Sequence, residues 1–359
     1  MSDTTPRQQH LAPLDVISVD DGTSVAVQPE PDGRTPKAKE GGPIIGRSPG
    51  ALAWSRLKRD RVGMISGYIV LGFIIVGLLA PLISLIYGQG PNDRNSNLLN
   101  NDGVPTGYIG GIDFTTNNAS GEIHIFGVQP GTGRDIFMQL VYGARTSLGI
   151  AFVASTLAVA IGIVFGVVAG YFGGWIDAAI SWFVDFMLAF PFLLFALAAI
   201  PVINSRIGDE MGDVSPIKRI VTLIIVFSVF GWMYTARLVR GQVISLRERE
   251  YVEAARAAGA GGTHIMFRQI LPNLWAPILV TYSLSVPATV TAEAALSFLN
   301  IGVIEPTPDW GRMINNSINW LQSDPAYTFF PGVAIFVLVL TFNLFGDSLR
   351  DALDPRSVR

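Results

Sequence analysis

The sequence predicts an all-α membrane protein with six transmembrane helices. Half of its 359 residues are hydrophobic, 15% are charged, and the mean hydropathy is +0.42, a composition typical of membrane proteins. Six apolar runs approach or exceed the roughly 20 residues that a helix needs to cross a bilayer. They cover residues 64–87, 147–171, 176–203, 220–238, 274–298 and 329–345.

The composition also excludes several classes of function. A net charge of −3 argues against a nucleic-acid partner, which favours a basic face. The chain has no cysteine, so a disulfide, a thiolate nucleophile and a cysteine-based metal site are excluded. The histidines are scattered at positions 10, 124 and 264, and we predict neither a metal site nor a catalytic constellation.

The apolar runs divide the chain into five segments. Residues 1–50 are rich in Pro, Gly, Asp and Ser and predict a disordered cytoplasmic tail. Residues 51–87 hold the first span and, before it, a stretch of Trp, Leu and bases that suits either a short interfacial helix or a plain basic flank. Residues 88–145 form an extracytoplasmic segment with some strand content. Residues 146–350 hold the other five helices, and residues 351–359 form a cytoplasmic C-terminus.

Basic residues near the ends of the spans predict the orientation. If six helices cross the membrane, thirteen Lys and Arg residues fall on one side and seven on the other. The side with more bases is cytoplasmic by the positive-inside rule. This rule places both termini and residues 250–273 in the cytoplasm.

Residues 250–273, between the fourth and fifth runs, are unusual for a loop between membrane spans. Alanines at 254, 255, 257 and 258 predict a slim helix. Gly259 should end it with a positive φ, and Pro272 should stop the next short helix before the fifth span. Glu253 and Arg256 can set the register of this helix on a partner by charge-assisted hydrogen bonds. The alternative is a plain helical loop.

No Walker-type phosphate loop occurs in the sequence. If this protein drives solutes uphill with ATP, another chain must therefore hydrolyse the ATP. Force would then enter through a cytoplasmic surface, and residues 250–273 suit that role.

Small residues recur at every fourth position of the second span, at Ala158, Gly162, Gly166 and Gly170. Such a stripe lets another helix approach closely. The partner helix is either in the same chain or in a neighbouring subunit.

Acidic residues in or near the spans are candidates for a translocation path. Asp177, Ser181 and Asp185 share one helical face by their spacing of four. Asp185 and Glu293 are the two candidates for the path. Alternatively, Asp185 is structural, and Glu293 caps a helix broken near Pro287. In either role Glu293 should face protein.

The segment Glu253-Ala254-Ala255, followed by Gly259 and then by Leu271-Pro272, resembles the EAA loop of ATP-binding-cassette (ABC) importer permeases. In that family the loop docks on the ATPase subunit. Further segments are similar to the C-type subunit of the dipeptide/oligopeptide/nickel permease group. They are GRD at 133–135, GARTSL at 143–148, GGWID at 173–177, FP at 190–191, ALSFL at 295–299, PTPDWG at 306–311 and FNLFGDSLRDALDPR at 342–356.

The resemblance spans about residues 50–356 and implies a type I importer permease in a bacterial inner membrane. Its expected partners are a second, related permease, two ATPases that hold ATP and Mg, an extracytoplasmic solute-binding protein and membrane lipid. No cofactor is expected in this chain, which would move peptides by alternating access. The implied docking residues are Glu253, Ala254, Ala255, Arg256, Gly259, Leu271 and Pro272.

Three positions depart from the pattern of this group. Gln269 replaces a frequent His, and Asn300 stands where Gly is usual. Trp182 replaces an expected Arg, which leaves Asp185 without that nearby base.

Three alternatives stay open at this point. One is a nickel importer of the same group. Another is a proton-coupled secondary transporter that uses Asp185 or Glu293. The last is a membrane scaffold without transport.

Overall fold

A computed structural model of the chain describes residues 16–18, 24–26, 49–106, 124–208 and 214–354. The chain divides into two units, Met1–Ser48 and Pro49–Arg359. In the first unit, strands β1 (Val16–Ser18) and β2 (Ser24–Ala26) pair antiparallel, with Val16 opposite Ala26. The prediction of a disordered tail is corrected at these two strands, and the rest of residues 1–48 lies outside the described residues.

The second unit is built of helices. Between them, the described residues contain three short 3₁₀ turns, Ser96–Leu98, Leu271–Leu274 and Ile318–Trp320, and one π-helical stretch, Ile265–Ile270. The helices are α1 (Pro49–Leu57), α2 (Arg61–Leu78), α3 (Ala80–Tyr87), α4 (Ile136–Phe172), α5 (Gly174–Leu188), α6 (Phe192–Ile207), α7 (Pro216–Leu246), α8 (Glu250–Ala257), α9 (Gly262–His264), α10 (Trp275–Phe298), α11 (Trp310–Ser317) and α12 (Pro325–Leu353).

The spans follow the predicted apolar runs. Within the described residues, five helical segments are long and apolar enough to cross a membrane, namely α2, α4, α7, Gly262–Phe298 and α12. Helices α5 and α6 make a sixth span if the pair is counted as one, although the chain bends by 85° between them. The chain is therefore an all-α membrane protein, and the apolar run predicted at 176–203 folds as this bent pair of helices.

Prolines explain two breaks in the predicted helices. The residue before a proline is disfavoured in the α conformation, and α6 begins directly after Pro191. The first run divides likewise at Leu79, and Pro81 lies in the first turn of α3. Pro287, in contrast, lies inside the continuous α10, so no broken helix exists there for Glu293 to cap.

The second span begins well before its apolar run. Helix α4 starts at Ile136, ten residues before the predicted boundary at 146. The side chain of Asp135 accepts a hydrogen bond from Met138 N at 2.7 Å, which is a standard N-cap. The predicted external segment is shorter by the same amount. Its described part shows only isolated bridges, such as Arg94 to Arg134, and residues 107–123 lie outside the described residues.

The core of the bundle forms around α4. Trp310, Tyr327 and Phe342 are buried against α4 and α10 in one large apolar cluster. The indole nitrogen of Trp310 donates to Leu140 O at 2.9 Å, which ties α11 to α4. A short helix outside the spans is thus part of the core.

The connections define two ends of the bundle. At the loop end, which carries residues 247–274, the Arg247 guanidinium donates to Gly170 O at 3.0 Å. At the opposite end, Arg134 makes two hydrogen bonds to Glu305, at 3.1 and 3.2 Å. Also at that end, Arg219 donates to Gly302 O at 2.8 Å. These contacts hold the loop between α10 and α12 against α4 and α7.

Candidate functional site

The candidate docking segment, Glu250–Leu274, begins with the short helix α8. Gly259 has a φ of 84°, as predicted. The helix ends in a complete Schellman motif, since Ala260 N donates to Ala255 O and Gly259 N donates to Arg256 O, both at 3.0 Å. The left-handed glycine therefore sets the direction in which the chain leaves α8.

In the described part of the chain, helix α8 has one buried side chain. Val252 is fully buried and packs with Val243, Ile265 and Met266 in an apolar cluster. The other docking residues predicted from the sequence are exposed or half-buried. Glu253, Ala254, Arg256, Gly259 and Pro272 are exposed, and Ala255 and Leu271 are half-buried. One face of α8 is thus exposed on the surface of the described part of the chain.

The rest of the docking segment is helical and runs directly into the fifth span. After α9 come a π-helical stretch, Ile265–Ile270, and a 3₁₀ turn, Leu271–Leu274. Pro272 lies in that 3₁₀ turn, and α10 begins at Trp275. The expectation that Pro272 stops a helix is corrected, because the helix changes its hydrogen-bonding type there and continues.

The glycine stripe of α4 lies against α7 of the same chain. A Cβ atom at Gly162 would lie 2.5 Å from Thr235 Cβ, and one at Gly166 would lie 2.7 Å from Ala236 O. A Cβ atom at Gly170 would lie 2.7 Å from Val243 Cβ. No side chain larger than hydrogen fits this contact, so the stripe packs helices within the subunit.

Asp185 has a base, which comes from another helix. Arg237 on α7 donates to Asp185 Oδ1 at 2.6 Å. On the same two helices, Arg240 forms two hydrogen bonds to Asp177, and Ser181 donates to Asp177 Oδ1 at 3.3 Å. Asp185 lacks the base expected at position 182, as predicted, and Arg237 supplies one instead. The predicted shared face of α5 is present in the Ser181–Asp177 contact.

Glu293 is fully buried at the end of the bundle opposite the loop end. The Ser297 hydroxyl donates to Glu293 Oε1 at 2.9 Å and accepts from Val303 N at 3.1 Å. Nearby, Ser147 donates to Asp309 Oδ2 at 3.2 Å. Glu293 faces protein, as predicted, and belongs to a buried polar cluster that joins α4, α10 and the loop before α11. In this conformation it lines no open surface.

Sequence reasoning missed the residues that complete these clusters. Arg237 and Arg240 lie 52 and 63 residues from their acidic partners. Asp309 lies 162 residues from Ser147. No local spacing indicates such pairs. Asn300 is different, because its φ of 62° explains why Gly is usual there and why Asn is tolerated.

Comparisons with known proteins match two parts of the chain to family models. Residues 162–359 match the family described as binding-protein-dependent transport system inner membrane component. Residues 48–102 match the N-terminal TM domain of oligopeptide transport permease C. A solved chain of the MetNI methionine ABC transporter, inward facing, aligns over 61% of this chain and 98% of that chain, with a TM-score of 0.49 and 21% identity.

Two curated relatives align over most of their length. The dipeptide transport system permease protein DppC of Alkalihalophilus pseudofirmus is 37% identical over 329 residues, which are 91% of this chain and 95% of that protein. The glutathione transport system permease protein GsiD of Salmonella paratyphi A is 36% identical over 310 residues, which are 86% of this chain and 91% of that protein.

Apolar spans joined through an exposed helical segment define a permease subunit of an ABC importer. The chain belongs to the family of inner-membrane components of binding-protein-dependent transport systems. Within it, the chain is a permease of the DppC/OppC-like group, of the peptide/glutathione type.

Proposed function

We propose that this chain is one of two permease subunits of an ATP-driven importer that moves di- or oligopeptides into the cytoplasm. The observation that carries the proposal is the attachment of α8. Val252 is the one buried side chain of this helix in the described part of the chain, and Glu253, Ala254 and Arg256 are exposed. A slim helix with one anchor and a free charged face suits a cleft in a partner ATPase.

The docking segment also offers a route for force. The chain is helical from Gly262 to Phe298, so a displacement of the segment moves the base of the fifth span. ATP drives such a cycle if the ATPases bind it better in one conformation of the complex than in the other. Alternating access to the two sides of the membrane follows from that difference.

The proposed complex contains this chain, a second and related permease, two ATPases that hold ATP and Mg, and an extracytoplasmic solute-binding protein. In this proposal both termini and the docking segment lie in the cytoplasm of a bacterium, with the spans in its inner membrane. The surplus of basic residues on one side supports this orientation. ATP hydrolysis belongs to the partner chains.

Peptides are the favoured substrates because the two relatives are a dipeptide transport permease and a glutathione transport permease. Nickel import and proton-coupled transport receive no comparable support. A scaffold without transport leaves the exposed face of α8 unexplained.

Two glycine variants test the coupling role. Gly259→Val forces a β-branched residue into a left-handed conformation, which costs at least about 1–2 kcal/mol, although no atom lies within 4 Å of the added Cβ. Gly261→Val is the matched control, because its Cβ also meets nothing within 4 Å and its φ of −68° suits valine.

The assay measures dipeptide uptake and dipeptide-stimulated ATP hydrolysis in the reconstituted complex. We expect Gly259→Val to insert normally and to lower both rates severalfold, while Gly261→Val behaves like the parent. Normal stimulated hydrolysis in Gly259→Val would contradict the docking role of this turn. Equal loss in both variants would contradict the conformational argument.

A further inference from the structure

Two ion pairs join α5 and α7 on one surface of the bundle. Asp185 pairs with Arg237, and Asp177 pairs with Arg240. The two acids are eight residues apart on α5, and the two bases are three residues apart on α7. The pairs therefore form a charged strip with two steps. The inner step is Asp177 with Arg240, and the outer step is Asp185 with Arg237.

The outer step lies in the last turn of the fourth apolar run, 220–238, and is exposed. Arg237 precedes the end of α7 by nine residues, or about 14 Å of helix. The side chain of Asp185 is 68% exposed and that of Arg237 is 54% exposed. By comparison, Asp177 is 19% exposed and Arg240 is 35% exposed. Charged side chains are unfavourable against lipid tails, so this surface faces water or protein.

The surface is concave, which favours water and a solute over a close subunit contact. A cavity of about 320 Å³ opens beside the strip. The polar side chains that line it are those of Ser181, Asp185, Arg237 and Arg240. It is also lined by the small side chains of Ala169 and Ala236. Protein contacts are normally filled to the density of a protein interior. A charged hollow of this size instead falls at the lower end of the range for small-ligand sites.

The chemistry of the outer step matches a zwitterion. Arg237 has five N–H donors and the Asp185 carboxylate has about four acceptor positions, so one shared hydrogen bond leaves most of them free. A guanidinium suits a carboxylate, and a carboxylate suits an ammonium group. The charged ends of a dipeptide lie within roughly 7 Å of each other, because an extended residue spans at most about 3.6 Å.

We propose that this cavity is a water-filled part of the solute path and binds the two charged ends of a peptide, the ammonium at Asp185 and the carboxylate at Arg237. The proposal rests on the proposed function for its substrate class. It gives the permease its own contact with the peptide, in addition to any made by a binding protein.

The absence of cysteine makes the test direct. Ser181→Cys places one thiol in the cavity wall of the assembled, nucleotide-free complex. A charged thiol reagent modifies only a thiolate in water. We expect Ser181→Cys to react, dialanine to slow the reaction, and the neutral N-acetylalanine amide to leave it unchanged. Val164→Cys is the control, because Val164 on α4 is 60% exposed but lies outside this cavity, and it should not react.

A second variant assigns the carboxylate contact. In the Ser181→Cys background, Arg237→Gln should raise the half-protecting concentration of dialanine by about tenfold, as expected for a charge-assisted bond, with assembly of the complex unchanged. Three outcomes would overturn the proposal: an unreactive Ser181→Cys in the assembled complex, equal protection by the neutral analogue, or an Arg237→Gln complex that fails to assemble. A complex that couples ATP hydrolysis to uptake but shows no protection refutes this site and leaves the proposed function intact.

Discussion

Gly166→Ala should separate two helices that the parent chain holds in close contact. The new Cβ would lie 2.7 Å from both Ala236 O and Val239 Cβ. Carbon atoms prefer about 3.5–4.0 Å, so α7 would have to move away by roughly 1 Å. One neighbour is backbone and the other is the stiff branch point of a valine, so neither can rotate aside.

The magnitude follows from two opposing effects. Overpacking of a filled contact typically costs about 1–3 kcal/mol. Replacing a helical glycine by alanine returns roughly 0.5–1 kcal/mol by restricting the unfolded chain. Gly149 lies on the same helix and meets nothing within 4 Å, so Gly149→Ala has only the second effect. The helix contribution cancels between the two variants, and Gly166→Ala should be less stable than Gly149→Ala by about 1–3 kcal/mol.

The assay is equilibrium unfolding of the purified chain in mixed micelles, titrated with a denaturing detergent and followed by circular dichroism. Both variants are compared with the parent at the same detergent composition. Equal stability of Gly166→Ala and Gly149→Ala would refute the close α4–α7 contact.

Three further predictions concern orientation, electrostatics and energy source. A cysteine at Asn97 should react with an impermeant reagent in intact cells and one at Thr263 should not; the reverse pattern would sink the orientation and the docking role. Burial alone would raise the pKa of Glu305, but its hydrogen bonds and charge interaction with Arg134 bring the pKa below its ordinary value of 4.5. This stabilisation is present above pH 4.5 and is lost as the pH falls through the lowered pKa. Parent and Glu305→Gln should therefore differ in unfolding temperature at pH 7 and converge in acid; a constant difference would contradict the ion pair. Uptake by reconstituted complex should continue when a protonophore collapses the proton gradient and stop when ATP is withheld; the opposite result would favour the proton-coupled alternative.

The sequence predicts the elements whose cause is local. Apolar length locates the five long spans and the bent pair α5–α6, because the hydrocarbon thickness sets the number of residues required. Alanine and glycine preferences locate α8 and its left-handed end at Gly259. The bend after α5 was missed although Pro191 signals it, since apolar length alone does not separate one straight helix from two bent ones.

Contacts between distant segments could not be predicted in the same way. The family pattern places a base for Asp185 at position 182, about one helical turn away, whereas folding supplies the base from α7. Glu293 gave no sign of its neighbours in the loop before α11, because tertiary packing alone brings them together. Charge at an unexpected place in a span indicates that a partner exists and leaves open which one.

The π-helical stretch Ile265–Ile270 has a mechanical consequence. A π turn accommodates one residue more than an α turn, and such turns are frequently found at functional sites. Each residue of an α-helix corresponds to about 100° of rotation and 1.5 Å of rise. If this turn took up the α register, the fifth span would rotate by about 100° on its own axis and advance by about 1.5 Å relative to α8. A push on the docking segment can thus be converted there into a screw motion of the span.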